Sequence, residues 1–190
     1  MYRLAIFASG EGTNAQKFID WYKKRNDICI SLIVCNKKEA GVVSRAKEAG
    51  IPFLIVDKET FYKGDVILNE LLERVDFIVL AGFLWMVPEN IIKAFAGKIV
   101  NIHPALLPKY GGKGMYGLKI HEAVIANREK ESGITIHYVN DKYDEGKIIF
   151  QAKCPVEVTD TSESLGNKVH ELEYKFYPMI VDKLLLENIS

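Results

Sequence analysis

Residues 4–19 read Leu-Ala-Ile-Phe-Ala-Ser-Gly-Glu-Gly-Thr-Asn-Ala-Gln-Lys-Phe-Ile, and this stretch decides how the chain folds. The apolar run Leu4–Ala8 predicts a buried strand. The glycine-rich segment Ser9–Asn14 predicts a turn, and the spacing of apolar residues in 15–24 predicts a helix. A strand, a tight turn and a helix in this order are typical of one unit of an α/β protein.

The same alternation continues along the chain. Further strands are predicted at 28–35, 52–56, 77–81 and 99–103, and helices at 39–49, 66–75 and 88–95. After Tyr110 the pattern changes to a glycine-rich loop, Gly111–Gly117, followed by helices at 120–126 and 162–186 and strands at 132–139 and 147–155. We therefore expect an α/β fold, a mostly parallel twisted sheet with helices on both faces, in one domain over residues 1–190.

Composition excludes several classes of protein. Of the 190 residues, 48% are hydrophobic and 26% charged, and the net charge is zero, so neither nucleic acid nor a membrane is an expected partner. The first apolar run is too short for a signal peptide or a membrane span, which predicts a cytoplasmic protein. Three cysteines and four histidines lack the spacing of metal ligands, so we expect reduced thiols and no metal.

The strongest candidate for a catalytic site begins at Asn101-Ile-His103-Pro104. Asn101 and His103 are two residues apart, so on a strand both side chains point to the same side, and Pro104 ends the strand. An amide can donate a hydrogen bond, and an imidazole can gain or lose a proton near neutral pH. A carboxylate such as Asp144 would favour the charged imidazole. The alternative is a packed histidine beside a turn.

A second candidate is the turn Gly10-Glu-Gly12-Thr-Asn-Ala15, which fits the glycine pattern of dinucleotide sites. Its backbone amides at a helix N-terminus favour a phosphate. Asn36 stands where a nicotinamide-binding protein should have an acidic residue after its second strand, so a dehydrogenase is disfavoured. The alternative is a turn that needs glycine only for steric reasons.

Other chemistry-bearing residues have weaker claims. We interpret His121 and His137 as structural, and Cys154 has no acid–base neighbour in sequence. The segment Phe83–Val87 follows a strand at its C-terminal end, where apolar residues either belong to the core or wall a flat ring system.

At these residues the chain resembles the folate-dependent formyltransferases. The resemblance lies in Asn101-x-His103-Pro-x-Leu-Leu-Pro with Asp144 and Gly146, and extends over nearly the whole chain. It also covers Ser9–Asn14, Leu80–Phe83, Tyr138–Gln151 and Glu173–Pro178.

The resemblance implies a Rossmann-like formyltransferase fold and a specific reaction. Within the family it points to the branch that transfers the formyl group of 10-formyltetrahydrofolate to the amine of glycinamide ribonucleotide in de novo purine biosynthesis. The amine would attack the formyl carbon directly, through a tetrahedral intermediate. It also implies a phosphate-binding half over about 1–100 and a folate and catalytic half over about 101–190.

The resemblance assigns three groups of residues. The catalytic group is Asn101, His103 and Asp144. The residues implied to bind the ribonucleotide are Gly12, Thr13, Asn14, His170 and Glu173. The residues implied to bind folate are Phe83, Leu84, Trp85, Met86, Val87, Val139, Asn140, Asp141 and Asp144. The loop Gly111–Gly117 is longer and richer in glycine than in some members, so no role is carried over to it.

Other functions stay open. Family members that formylate methionyl-tRNA or hydrolyse formyltetrahydrofolate carry an additional domain, and a chain that ends at Ser190 and is not basic is not expected to be either. A sugar-formylating enzyme is the nearest alternative. A silent nucleotide-binding module and a dehydrogenase are the alternatives from other classes. A monomer and a homodimer are both compatible with the sequence.

Overall fold

A computed structural model describes residues 1–189 as two compact units, divided between Val100 and Asn101. The elements of the first unit are β1 (Tyr2–Ala8), α1 (Thr13–Tyr22), β2 (Ile28–Cys35), α2 (Gly41–Glu48), β3 (Phe53–Ile55), α3 (Lys58–Tyr62), α4 (Val66–Arg74), β4 (Phe77–Leu80), α5 (Glu89–Ala94) and the start of β5 (Ile99–His103). The second unit continues with α6 (Leu118–Ala126), β6 (Glu131–Tyr138), β7 (Ile148–Pro155) and α7 (Ser162–Ile189).

In the first unit the strands follow the order β3-β2-β1-β4-β5. β1 pairs in parallel with both β2 and β4, and β2 pairs in parallel with β3. Leu4–Phe7 are completely buried, as expected for a central parallel strand covered on both faces. The side of α1 that carries Ala15, Phe18, Ile19 and Tyr22 is also buried.

In the second unit β6 and β7 form an antiparallel pair, running from Glu131 opposite Pro155 to His137 opposite Ile148. Gly146 lies in the loop between these strands. The position requires glycine, because a Cβ atom there would overlap the carbonyl oxygen of Tyr138. The helices α6 and α7 pack on one another, and α7 continues past Pro178.

These elements confirm the expected α/β class, with parallel strand pairs in the first unit and an antiparallel pair in the second. One helix was missed by the sequence analysis, because α3 has only five residues and shows no periodic pattern. It is stabilised by a capping box, in which Asp57 accepts a hydrogen bond from the Thr60 backbone and the Thr60 hydroxyl lies 3.3 Å from the Asp57 nitrogen.

The sequence predicted that the three cysteines are reduced thiols. Cys29, Cys35 and Cys154 form no disulfide, and burial raises the pKa of each thiol. Among residues 1–189, no helix is long and apolar enough to cross a membrane.

Candidate active site

The end of β5 carries the first two predicted site residues. Asn101 is half-buried and His103 is only 4% exposed. They alternate with the buried Val100 and Ile102, so both side chains leave the strand on the same side, as the sequence spacing predicted.

Both ring nitrogens of His103 face hydrogen-bond acceptors. Nε2 lies 2.8 Å from the backbone oxygen of Tyr110, and since a carbonyl only accepts, Nε2 carries a hydrogen. Nδ1 lies 3.5 Å from Oδ2 of Asp144. Burial lowers the pKa of His103, while Asp144, the Tyr110 carbonyl and the more distant Glu173 act to raise that pKa. The ring is therefore predominantly neutral when no ligand is bound, and a second proton at Nδ1 would meet the carboxylate.

Asp144 lies in the loop after β6, in the left-handed backbone region with φ of 56°. Its Oδ2 accepts a hydrogen bond of 2.9 Å from the Gly112 nitrogen, and its Oδ1 lies 3.6 Å from Nε2 of His137. Burial acts to raise the pKa of this carboxyl, but the polar groups around it, the Gly112 amide among them, outweigh burial and lower the pKa. Asp144 is therefore an anion at neutral pH.

His137, which the sequence analysis interpreted as structural, lies between Asn101 and Asp144. Its Nδ1 is 2.8 Å from the Tyr138 carbonyl and must carry a hydrogen, which leaves Nε2 of the neutral ring as an acceptor. Nε2 accepts from Nδ2 of Asn101 at 3.2 Å. His137 thus connects Asn101 to the neighbourhood of Asp144. The signal for it was a single polar residue at a buried strand position, which periodicity alone does not distinguish from a packed histidine.

A second group of ionisable side chains lies on α6 and α7. Nδ1 of His170 lies 2.8 Å from Oε2 of Glu173, and this hydrogen bond raises the pKa of His170. Glu173 is 4% exposed, whereas the His170 ring lies half-exposed and stacks on Tyr174. His121 is buried, its Nδ1 has no hydrogen-bond partner among the described residues, and burial lowers its pKa. The predicted pair His170 and Glu173 therefore forms one hydrogen-bonded unit.

The glycine turn of the first unit packs against α2 so closely that position 12 has no room for a side chain. Gly12 precedes α1 with φ of 71°, and a Cβ atom there would lie 2.6 Å from Cβ of Val42 on α2. The packing of α2 thus demands glycine at this position. Thr13 is exposed and Asn14 half-buried at the start of α1. Their role in binding a phosphate stays a prediction.

A pocket of about 480 Å³ opens beside this turn. Its walls come from the turn itself and from the segment that follows β2. The residues lining it are Ser9, Gly10, Glu11, Lys37, Lys38, Glu39 and Ala40. The two exposed lysines bring positive charge to the pocket, and Glu11 and Glu39 bring negative charge.

The predicted folate segments lie one in each unit. In the first unit, the rings of Phe83 and Trp85 cluster with those of Phe7 and Phe61. The ring centroids in these contacts of Phe83 and Trp85 are 5.3–6.2 Å apart. Leu84, between them in sequence, is 50% exposed. Of the rest of that segment, Met86 is half-buried and Val87 is buried. In the second unit, Val139 and Asn140 are half-buried and Asp141 is exposed. A folate contact at any of these residues stays a prediction.

No three His, Cys, Asp or Glu side chains within residues 1–189 approach closely enough to hold a metal ion. The cluster around His103 instead offers an amide, an anion and an imidazole that can become a cation. These groups suit reactions that develop negative charge on oxygen and move a proton.

Comparisons with known proteins show which family this chain resembles over most of its length. Residues 2–181 match the family model described as formyl transferase. The chain is 34% identical to the phosphoribosylglycinamide formyltransferase of Bacillus subtilis, covering 97% of this chain and 95% of that protein. It is 39% identical to the chloroplastic phosphoribosylglycinamide formyltransferase of Arabidopsis thaliana, of which it spans 67%. The crystal structure of phosphoribosylglycinamide formyltransferase from Bacillus halodurans superposes with a TM-score of 0.87 at 38% identity, covering 96% of this chain and 95% of that one. The chain therefore belongs to the formyl transferase family.

Proposed function

We propose that this chain transfers the formyl group of 10-formyltetrahydrofolate to the amine of glycinamide ribonucleotide, a step of de novo purine biosynthesis. The observation that carries the proposal is the convergence of Asn101, His103 and Asp144 in a chain with full-length similarity to bacterial phosphoribosylglycinamide formyltransferase. Folate enters as a co-substrate, and we expect the reaction to need no metal. A cytoplasmic location and either a monomer or a homodimer are the companion expectations.

The reaction begins with attack of the neutral amine on the formyl carbon. A C–N bond forms and the formyl oxygen takes on negative charge in a tetrahedral intermediate. Asn101 donates a hydrogen bond to this oxygen through Nδ2, whose orientation is set by the bond to Nε2 of His137. The intermediate collapses when the bond to N10 of the folate breaks.

His103 contributes its positive charge. Both ring nitrogens already face the acceptors Tyr110 and Asp144, so the protonated ring stabilises the oxyanion by its charge while Asn101 supplies the hydrogen bond. The negative charge that develops during the reaction favours protonation of His103, against the burial that lowers its pKa.

One proton must move for the reaction to balance. The attacking amine loses a proton, and N10 of the folate gains one as it leaves. Asp144 is an anion in the ligand-free chain and can pass this proton through a water molecule. No acyl-enzyme is needed, because holding both substrates in contact converts the reaction into an intramolecular one.

The substrates are assigned to separate residues. The phosphate of the ribonucleotide binds the turn of Gly12, Thr13 and Asn14, where backbone amides at the start of α1 favour an anion. Glu173 and His170 bind the ribose or glycinamide end. The pterin of the folate lies against Phe83–Val87 and the 139–144 segment, including Asp144.

A spectrophotometric assay tests the proposal. Purified chain is mixed with 10-formyltetrahydrofolate and either glycinamide ribonucleotide or an amino-sugar nucleotide. We expect formyl transfer to the ribonucleotide only. Transfer to the sugar alone would replace the proposal with a sugar-formylating enzyme, and tight binding of a nicotinamide cofactor without transfer would favour a dehydrogenase.

We expect Thr13→Val to raise KM for glycinamide ribonucleotide about tenfold, the loss that fits one hydrogen bond to a charged phosphate. Valine keeps the shape of threonine but lacks the hydroxyl. The dissociation constant of a folate analogue, measured by calorimetry, should stay at its wild-type value.

Thr159→Val makes the same replacement at another exposed threonine and is the control. A wild-type KM in Thr13→Val would contradict the assignment of the ribonucleotide phosphate to this turn. A loss of folate binding instead would assign the turn to the folate. Gly12→Val is not a useful substitute, because Val42 leaves no room for a side chain there.

A further inference from the structure

The backbone of Tyr110 is held in an unfavourable conformation next to His103. Tyr110 has φ of 58°, in the left-handed region that residues with a Cβ atom seldom adopt. Its carbonyl oxygen is the one that accepts from Nε2 of His103 at 2.8 Å. Such a conformation is unfavourable and persists only when other contacts hold it.

The contact that holds Tyr110 comes from its own side chain. The phenol donates a hydrogen bond of 2.9 Å to Oε1 of Glu129, which also receives Nζ of Lys109 at 2.8 Å. Burial and then Glu129 raise the pKa of the Tyr110 phenol, and Lys109 and Tyr110 lower the pKa of Glu129. The phenol thus stays protonated and the carboxyl ionised around neutral pH, so the bond between them is charge-assisted.

The residues after Tyr110 hold the other partner of His103. The Gly112 amide donates to Oδ2 of Asp144. Gly111 passes so close to the site that a Cβ atom would lie 2.5 Å from Cδ2 of Leu107 and 3.3 Å from Cβ of Asp144. One short segment therefore provides an acceptor to His103 and a donor to Asp144.

We propose that Tyr110 and Glu129 form a clasp that positions His103 for the reaction. Glu129 anchors the phenol, the anchored residue presents its carbonyl to Nε2, and Nδ1 is left facing Asp144. The clasp fixes which nitrogen carries the hydrogen in the neutral ring, and it favours the protonated ring because both N–H groups then have acceptors.

The kinetic part of this inference rests on the proposed function, and the structural part does not. Only protonated His103 stabilises the oxyanion, so kcat falls as pH rises through the pKa of His103. Weakening the Tyr110 carbonyl bond lowers that pKa, and the alkaline limb of the kcat profile moves to lower pH. The charged and titratable groups that act on His103 are Asp144, His137, Glu173 and His121, and the test changes none of them.

The test compares Tyr110→Phe with two replacements of Glu129. We expect Tyr110→Phe and Glu129→Ala each to lower kcat about tenfold above neutral pH, with KM nearly unchanged. Glu129→Gln keeps an oxygen that can accept from the phenol, so it should restore most of the activity. The double variant should lose no more than either single variant, because both break the same contact.

Glu131→Ala is the matched control. Glu131 lies two residues further along, pairs with Lys153 at 2.7 Å, and its ion pair is exposed like many surface pairs that contribute little. Its kcat profile should follow that of the wild type. Thermal unfolding identifies any variant that fails to fold. If Tyr110→Phe does not fold, Glu129→Ala provides the test.

Nitrogen NMR of the ligand-free chain separates this inference from the proposed function. The His103 signal, identified by its loss in His103→Gln, should report a hydrogen on Nε2 in the wild type and a mixture of tautomers in Tyr110→Phe and Glu129→Ala. If the wild type formylates no amine but the tautomer changes, the clasp stands and the proposed function fails. Unchanged tautomer and kcat profile in both variants would overturn the clasp.

Discussion

Asp144→Asn is expected to lower kcat by about two to four orders of magnitude, the range for loss of a group that moves a proton in the reaction. The asparagine has nearly the same size and can still accept from the Gly112 amide. It carries no charge, so it neither accepts the amine proton nor stabilises protonated His103. KM values should change far less than kcat.

The same substitution should change the titration of His103. The charge of Asp144 acts to raise the pKa of His103, so its removal adds to the effect of burial and lowers that pKa further. The protonated ring is then lost at a lower pH, and the alkaline limb of the activity profile moves in the same direction. NMR titration of His103 in both proteins measures this shift.

Glu145→Gln serves as the control, because Glu145 is an exposed carboxylate next to Asp144 that is assigned to neither substrate and pairs with Lys142. Its turnover and its His103 titration should match the wild type. A His103 titration that does not respond to Asp144→Asn would show that the two side chains are not coupled, whatever happens to turnover.

Asn101→Ala is expected to lower kcat by about 10²–10³-fold, the usual loss for one donor to an oxyanion. Substrate affinities should change little, because the bond forms mainly when charge develops on the formyl oxygen. Asn101 is half-buried, and thermal unfolding separates a loss of stability from a loss of catalysis.

Asn101→Asp sharpens this prediction. Aspartate has the shape of asparagine but only accepts hydrogen bonds, so it should be at least as impaired as alanine. Asn69→Ala, at an exposed asparagine of α4, is the control for the substitution itself. An active Asn101→Asp would exclude the donor role and make Asn101 a structural residue.

Sequence reasoning predicted the elements that show strong periodicity. β1 and β2 were predicted because long apolar runs are typical of strands buried on both faces. α3 was missed because its five residues depend on the Asp57 capping box rather than on an apolar stripe. Local patterns thus predict what local interactions stabilise.

The candidate site was predictable only in part, for the same physical reason. Asn101 and His103 lie together on one strand, so their spacing predicted a shared side. The place of His137 depends on a tertiary contact with Asn101, and its tautomer depends on the Tyr138 carbonyl. The need for glycine at position 12 likewise comes from Val42, a residue on another helix.

Gly146 limits how this chain can diverge in sequence. Any side chain at this position would meet the Tyr138 carbonyl, which is also the acceptor of the His137 Nδ1 hydrogen. A substitution there would push the loop that carries Asp144 away from β6, so one replaced glycine would disturb two polar groups of the site together. The neighbouring Glu145 is exposed and pairs only across the loop surface with Lys142. In a library that randomises this loop, position 145 should accept many residues while position 146 accepts glycine alone.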